Sequence, residues 1–353
     1  MNIAVVDVAA QEGGSGAILR DYVDYIKSDV ASANHQWFVF TSLINFSDSN
    51  NVHCIQDGSI KKSLLRRIYW ENIIFPKLMK KYNIDVVVSL QNNALPHVSC
   101  KQIVFFHNIL LLLKPNTFSF FKREERLLAL YTHIIGPYTR HTWKRAYAFA
   151  VQTNTVKEDL LKSLKDGVSV VVIPPHVSLE GLECINSKGS IQGLIYPATT
   201  MPYKHIEDVI KLLHGKINKD IIFTFDGTEN SYAQKLKKLA EGDAHFRFVG
   251  YMNHKELLEF YAKLNYGLLM VSEMETLGIP LIEARSFGVP IVAVDRPYVH
   301  ESLKDYPNVE YVDVGFNNLS ELVNKAFMKQ KIDSDIISFE SSWAKMNELF
   351  NVV

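Results

Sequence analysis

The chain has 353 residues, 22% charged and 47% hydrophobic, with a formal net charge of zero. That length predicts two domains, each burying its own core, and the composition excludes a disordered, collagen-like or repeat protein. Charge is uneven, with 20 Lys+Arg against 14 Asp+Glu over residues 1–175 and 15 against 4 over 60–145, so an anionic partner is expected for the first half.

The chain opens on MNIAVVDV, an apolar run that predicts a strand, with neither the basic region nor the long apolar core of a signal peptide. QEGGSGA follows as a glycine loop, then an amphipathic helix over 17–29, the opening unit of a nucleotide-binding α/β domain. Gly14-Ser15-Gly16 lacks the third glycine of a dinucleotide fingerprint, and no acidic residue ends the next strand, QWFVFTS. A nicotinamide or flavin enzyme is therefore not expected, and the loop with Gly14 and Gly16 fits a phosphate or sugar approach and a simple turn equally. No recognition motif for nucleic acid accompanies the basic charge.

Residues 60–82 form a basic, aromatic helical region that breaks near Pro76, with Tyr69 and Trp70 placed for a membrane interface and lysines for headgroups. A core-facing helix with a solvated basic face fits the pattern equally. IDVVVSL and KQIVFFH read as buried strands. His107 ends the second of them, where open α/β sheets bind ligands, although a structural histidine is the commoner use. The apolar run 103–113 is too short to span a bilayer. A second basic helical stretch spans 114–145, followed by a strand, a helix and the strand VSVVVI. The breaker-rich stretch 174–190 then reads as the linker, putting the first domain at 1–175.

The second domain, 176–335, restarts the βα alternation with QGLIYPA and continues to VEYVDV, as expected of parallel sheets. Within it, ETLGIPLIEARSFGVPIVA (275–293) reads as loop, helix and buried strand. Gly278 permits a tight backbone at the helix entrance, Pro280 suits the first helical position, and Gly288 stops the helix. Glu275 lies in the loop and Glu283 in the first turn. Acids beside a helix N-terminus, itself an anion site, describe a ligand with both phosphate and hydroxyls, such as a nucleotide sugar. An ordinary helix with exposed glutamates is the plainer alternative. The segment 336–353 closes the chain with Phe339, Trp343, Met346 and Phe350 at helical spacing. Cys54, Cys100 and Cys184 match neither a disulfide framework nor a metal spacing, so a reducing cytoplasm is expected.

Nearly the whole chain resembles retaining glycosyltransferases of family four, most densely from Phe246 to Leu303. The ordered residues that carry the resemblance are Gly250, Ser272, Glu275, Gly278, Glu283, Gly288, Pro290, Asp295 and Glu301, with E-x7-E at their centre. The resemblance implies a GT-B fold, two Rossmann-like α/β domains facing a cleft, with the C-terminal helix returning to the first domain. It also implies transfer of a hexose or N-acetylhexosamine from a UDP- or GDP-sugar to a glycan acceptor, a lipid-linked one in bacterial O-antigen, lipopolysaccharide or capsule synthesis. By the same resemblance Glu283 binds the ribose, Glu275 the donor sugar, and the backbone of Thr276, Leu277 and Gly278 faces sugar and diphosphate. Lys204 is the phosphate-binding lysine, Gly14 and Gly16 meet the donor, and His107 lies near the reacting sugar. Ala198 stands where many relatives have an arginine, which breaks a two-cation phosphate clamp. Neither a cofactor nor a metal is implied, and Asp333-Ser334-Asp335 reads as a solvated linker. The implied location is the cytoplasm, with the basic 60–145 region at the inner membrane face. Other uses of such a fold are a nucleotide-sugar epimerase, a phosphorylase-like enzyme, or a non-catalytic binding partner.

Overall fold

A computed structural model describes residues 1–11, 14–174, 189–333 and 343–351. The chain forms two compact units, one of Met1–Thr117, Ala129–His176 and Phe339–Val353, the other of Phe118–Leu128 and Val177–Ser338. The middle of the expected linker, 175–188, and residues 334–335 of the D-x-D string lie outside the described residues.

The first unit holds a seven-stranded sheet of β1 (Asn2–Asp7), β2 (Gln36–Thr41), β3 (Val52–Gln56), β4 (Val86–Ser89), β5 (Lys101–Phe106), β6 (Ala148–Val151) and β7 (Ser169–Val172). Their order is β3-β2-β1-β4-β5-β6-β7, and every pairing is parallel. Continuous Val, Ile and Phe runs suit strands covered on both faces, and β1, β4 and β6 are almost wholly buried. The order reverses between β1 and β4, the switch point at whose carboxyl edge such sheets bind ligands.

The helix after β1 spans Gly14–Ser28, so Gly14 and Gly16 belong to its first turn and not to a preceding loop. Trp343 and the helix Ala344–Asn351 pack beneath this sheet. The Trp343 ring lies 4.7 Å from Tyr22 and 5.2 Å from Phe105, and its N–H donates to Asp21 at 2.7 Å.

Pro76 does not break the 60–82 helix. Leu64–Tyr69 continues into a π-turn at Trp70–Ile74 and on into Phe75–Lys81. Proline has no N–H to donate and its ring crowds the carbonyl four residues back, which a widened turn relieves. The Phe75 N–H reaches the Trp70 carbonyl, five residues away. The same device recurs at Tyr131–Ile135, ahead of Pro137, where the Gly136 N–H reaches Tyr131. Of the two readings open for this region, Trp70 follows the core-facing one, buried against Phe40 and Phe75.

The second unit holds β8 (Gly193–Tyr196), β9 (Asp220–Phe223), β10 (Phe246–Phe248), β11 (Tyr266–Met270), β12 (Ile291–Val294) and β13 (Val309–Val312). Their order is β10-β9-β8-β11-β12-β13, again all parallel. Here the switch point lies between β8 and β11, and the segments leaving those two strands carry Lys204 and Glu275.

Candidate functional site

After β8 the chain runs through Ala198 to a short 3-10 turn, Pro202–Lys204. The Tyr196 hydroxyl donates to the Lys204 carbonyl, tying that turn back to the strand. His205 then takes a left-handed backbone, φ 54°, to start the helix Ile206–Leu213, and its ring pairs with Asp208 at 2.9 Å. This geometry leaves the Lys204 ammonium over the neighbouring loop, where it forms an ion pair with Glu275. Burial works against the Lys204 charge; the Glu275 carboxylate overrides it and holds the ammonium above its ordinary range.

The loop after β11 leads into the helix Ile279–Ser286 through Gly278, whose φ is 73°. A side chain there would be strained, and its Cβ would stand 2.8 Å from Leu281 and 3.1 Å from the Tyr298 ring. The Leu277 carbonyl accepts from Ser302, and Thr276 is partly exposed beside it. Gly288, at φ 68°, ends the unit where a Cβ would collide with the Ile332 carbonyl. Glu283 is neither exposed nor in the first turn: it is the fifth helical residue and 1% exposed. It is buried because the helix is enclosed nearly all round, with Leu281, Ile282, Ala284 and Ser286 buried too. Its Oε1 is 2.6 Å from Nε2 of His254, a residue the sequence reading missed.

A second charged group flanks the loop. Glu273 accepts from Arg296 at 2.9 Å and lies 3.7 Å from His205. Asp295 pairs with His300 at 2.7 Å on the surface. Ala198 supplies no charge; it lines a cavity of about 450 Å³ together with Thr200, Asn230 and the 86%-exposed Tyr251. The Asn230 amide donates to Thr200 at 2.7 Å inside it. Among the described residues no group of three or more His, Cys, Asp or Glu could hold a metal ion.

Gly14, Gly16 and His107 belong to the first unit, apart from the Lys204–Glu283 group. Gly14 is exposed, whereas Gly16 is packed so closely that a Cβ would lie 2.2 Å from the Gln11 carbonyl. His107 follows β5, its backbone N–H donating to Asn92 at 2.7 Å and its Nε2 2.8 Å from the Leu90 carbonyl. The same Nε2 lies 3.2 Å from the Asn92 amide nitrogen, and a neutral ring either donates there to the carbonyl or accepts from the amide. Burial holds its pKa below the ordinary value, in favour of that neutral form. Nearby at the switch point, Asp7 is buried with one oxygen accepting from Ala10 and the other unpartnered. Desolvation pushes its pKa up to about 7.

Residues 191–340 match the family described as Glycosyl transferases group 1, covering most of the second unit. No curated protein sequence matches the chain. Among solved structures it is similar to sucrose-phosphate synthase from Thermosynechococcus elongatus, with TM-score 0.67 and 14% identity over 99% of this chain and 98% of that one. It is similar to HepE of Anabaena in complex with UDP and glucose, with TM-score 0.65 and 14% identity over the full length of both chains. It also resembles WaaG, a glycosyltransferase involved in lipopolysaccharide biosynthesis, with TM-score 0.63 and 17% identity over 93% and 91%. The two parallel-sheet α/β units have the GT-B fold of these structures, and residues 191–340 match the group 1 glycosyltransferase family.

Proposed function

We propose that the protein transfers a hexosyl or N-acetylhexosaminyl group from a UDP- or GDP-sugar to a glycan acceptor, with retention at the anomeric carbon. The observation that carries this reading is the meeting of Lys204 and Glu275 across the β8/β11 switch point, beside the free N-terminus of the Ile279–Ser286 helix. A diphosphate there takes Lys204 and the amides of Gly278 and Ile279, while Glu275 takes sugar hydroxyls and Glu283 the ribose. The base occupies the cavity lined by Thr200, Asn230 and Tyr251, where an aromatic face and two polar side chains are available. HepE, in complex with UDP and glucose, supports a UDP-sugar as the first donor to test.

In the reaction the bond from the anomeric carbon to the diphosphate oxygen breaks, and the diphosphate leaves with the electron pair. An acceptor hydroxyl attacks the same face, forms the new glycosidic bond and passes its proton to the departing diphosphate oxygen. Lys204 and the helix amides stabilise the charge that grows on the leaving group, a role in which one donor commonly contributes about 10²–10³ in rate. Glu275 orients the sugar and is not assigned an acid or base role, and no metal has a part. The first unit takes the acceptor; His107, neutral, is assigned to the reacting sugar, and Gly14 and Gly16 to the donor.

The acceptor is assigned to a membrane-bound glycan lipid, as in lipopolysaccharide or O-antigen assembly. Leu64 and Leu65, 72% and 77% exposed, and the exposed Ile68, Tyr69 and Ile73 share one helical region with the exposed Lys62, Arg66, Lys77, Lys80 and Lys81. Apolar side chains within a basic surround fit an anionic lipid surface. No helix among the described residues is long and apolar enough to cross a membrane. Flotation with anionic vesicles is expected to carry the protein up at low salt; failure there sinks the membrane assignment. The transfer itself is tested by product analysis with a panel of UDP- and GDP-sugars. Turnover that needs no acceptor, or unchanged turnover in Glu275→Ala, contradicts it.

A further inference from the structure

The buried acid of the pair has a partner outside the glutamate motif. Asn253 caps the helix His254–Ala262: its side chain accepts from the Glu256 N–H at 3.0 Å, and Glu256 accepts from the Asn253 N–H at 2.8 Å. This reciprocal pair fixes how the chain enters the helix. His254, Leu258 and Tyr261 then fall at i, i+4 and i+7 on one face, which packs against the helix bearing Glu283. Leu258 and Tyr261 are buried, and the Tyr261 hydroxyl has no hydrogen-bond partner. His254 stands at the open end of this face, its side chain 60% exposed, with Nε2 2.6 Å from the Glu283 carboxylate.

We infer that His254 is a positioning residue for nucleotide binding, holding the Glu283 carboxylate in one orientation toward the two adjacent hydroxyls of a ribose. The inference rests on the reading that Glu283 takes the nucleotide. An enclosed carboxylate with no partner is driven toward its neutral acid, which turns one of its acceptors into a donor. A carboxylate held by a cation keeps acceptor capacity on both oxygens, which is what a pair of hydroxyl donors requires. His254 reaches Glu283 from the solvent side and leaves the remaining lone pairs for the ligand.

The bond to Glu283 holds the His254 pKa above its ordinary value, against the opposing effect of burial. The groups facing this imidazole are Glu283 from the neighbouring helix and, beyond it, the Tyr261 hydroxyl, whose pKa burial raises well above its ordinary value and which stays neutral. The charge-assisted bond is therefore present at low pH and gives way to a weaker neutral one as pH rises through the folded His254 pKa.

Isothermal titration of the full chain with UDP, GDP and their 2′-deoxy forms tests this from about pH 7, where the terminal phosphate is already ionised, to about pH 9. For the wild type we expect affinity to fall as pH rises. His254→Ala should bind about tenfold more weakly at the low end, with no pH trend and a smaller preference for ribose over 2′-deoxyribose. His254→Gln, which keeps a neutral donor, should recover part of the affinity without the trend. Wild type and variants are compared at a temperature below all of their unfolding midpoints, so that a loss of binding reports positioning and not unfolding. If His254→Ala keeps wild-type affinity and slope while Glu283→Gln loses binding, the inference fails and the nucleotide reading stands. If the wild type binds neither nucleotide, or Glu283→Gln binds as well as wild type, the nucleotide reading fails and the inference with it.

Discussion

The two units have the same strand logic around a switch point and equip it in different ways. In the second, each important acid is matched by a base from another element, Lys204 on Glu275 and His254 on Glu283. In the first, His107 is held neutral and Asp7 is raised to about 7, and the nearby charges come from the 58–74 region: Lys61 on the Ala9 carbonyl, and Arg67 paired with the buried Glu71, which also accepts from Gln91. Ion pairs beside a helix N-terminus suit a charged ligand, and the same sheet order is equipped differently in each unit by the few residues that follow each strand.

The units also differ in how their cores are completed, and the largest expected effect tests that difference. Trp343 is fully buried beneath the first sheet, far in sequence from its partners Tyr22 and Phe105. Trp343→Ala should destabilise that unit by about 3–5 kcal/mol, read by calorimetry as an earlier first transition. A common shift of both transitions would show that the two cores are not separate in this respect. Next comes Lys204→Ala, expected to lower kcat by about 10²–10³ in initial-rate assays while leaving the fold intact. A loss confined to KM would mean the lysine binds ground and transition states alike.

Gly278→Ala should cost about 1–2 kcal/mol in denaturant unfolding, because a Cβ meets Leu281 on a left-handed backbone. Exposed Gly14→Ala in the first unit, with nothing near its Cβ, should change almost nothing. Equal effects would remove the contrast between the two helix entrances.

The pH slopes of the first unit run in opposite senses. Asp7, with a folded pKa near 7 against the ordinary 3.8, retains a proton that the unfolded chain gives up, so its contribution is lost as pH rises through that window. His107 is the reverse: its lowered pKa means the unfolded chain takes up a proton first, and stability is lost as pH falls below about 6.5. Asp7→Asn should therefore raise Tm at neutral pH and leave it unchanged near pH 4, and a wild-type slope in that variant would deny Asp7 its role.

Much of this was legible because period and punctuation are local signals. Apolar runs ending in Gly, His or Ser gave the parallel strands, and Gly278 and Gly288 marked turns that their positive φ values require. The acids of E-x7-E were legible as a pair, but the burial of Glu283 was not, since enclosure of its helix depends on neighbours distant in sequence. His254 escaped for the same reason: its partner is 29 residues away on another helix. Its only sequence trace is the shared face with Leu258 and Tyr261. Pro76 misled because proline reads as a breaker, while a π-turn lets the helix pass through it.

The central claim is that the switch point of the second unit holds a nucleoside diphosphate sugar. Amide hydrogen exchange of the full chain, with and without saturating UDP and then GDP, locates that ligand directly. Protection should concentrate at 199–204, 251–254 and 276–283, and Glu283→Gln should remove it. Protection elsewhere alone, or none with either nucleotide, would contradict the account.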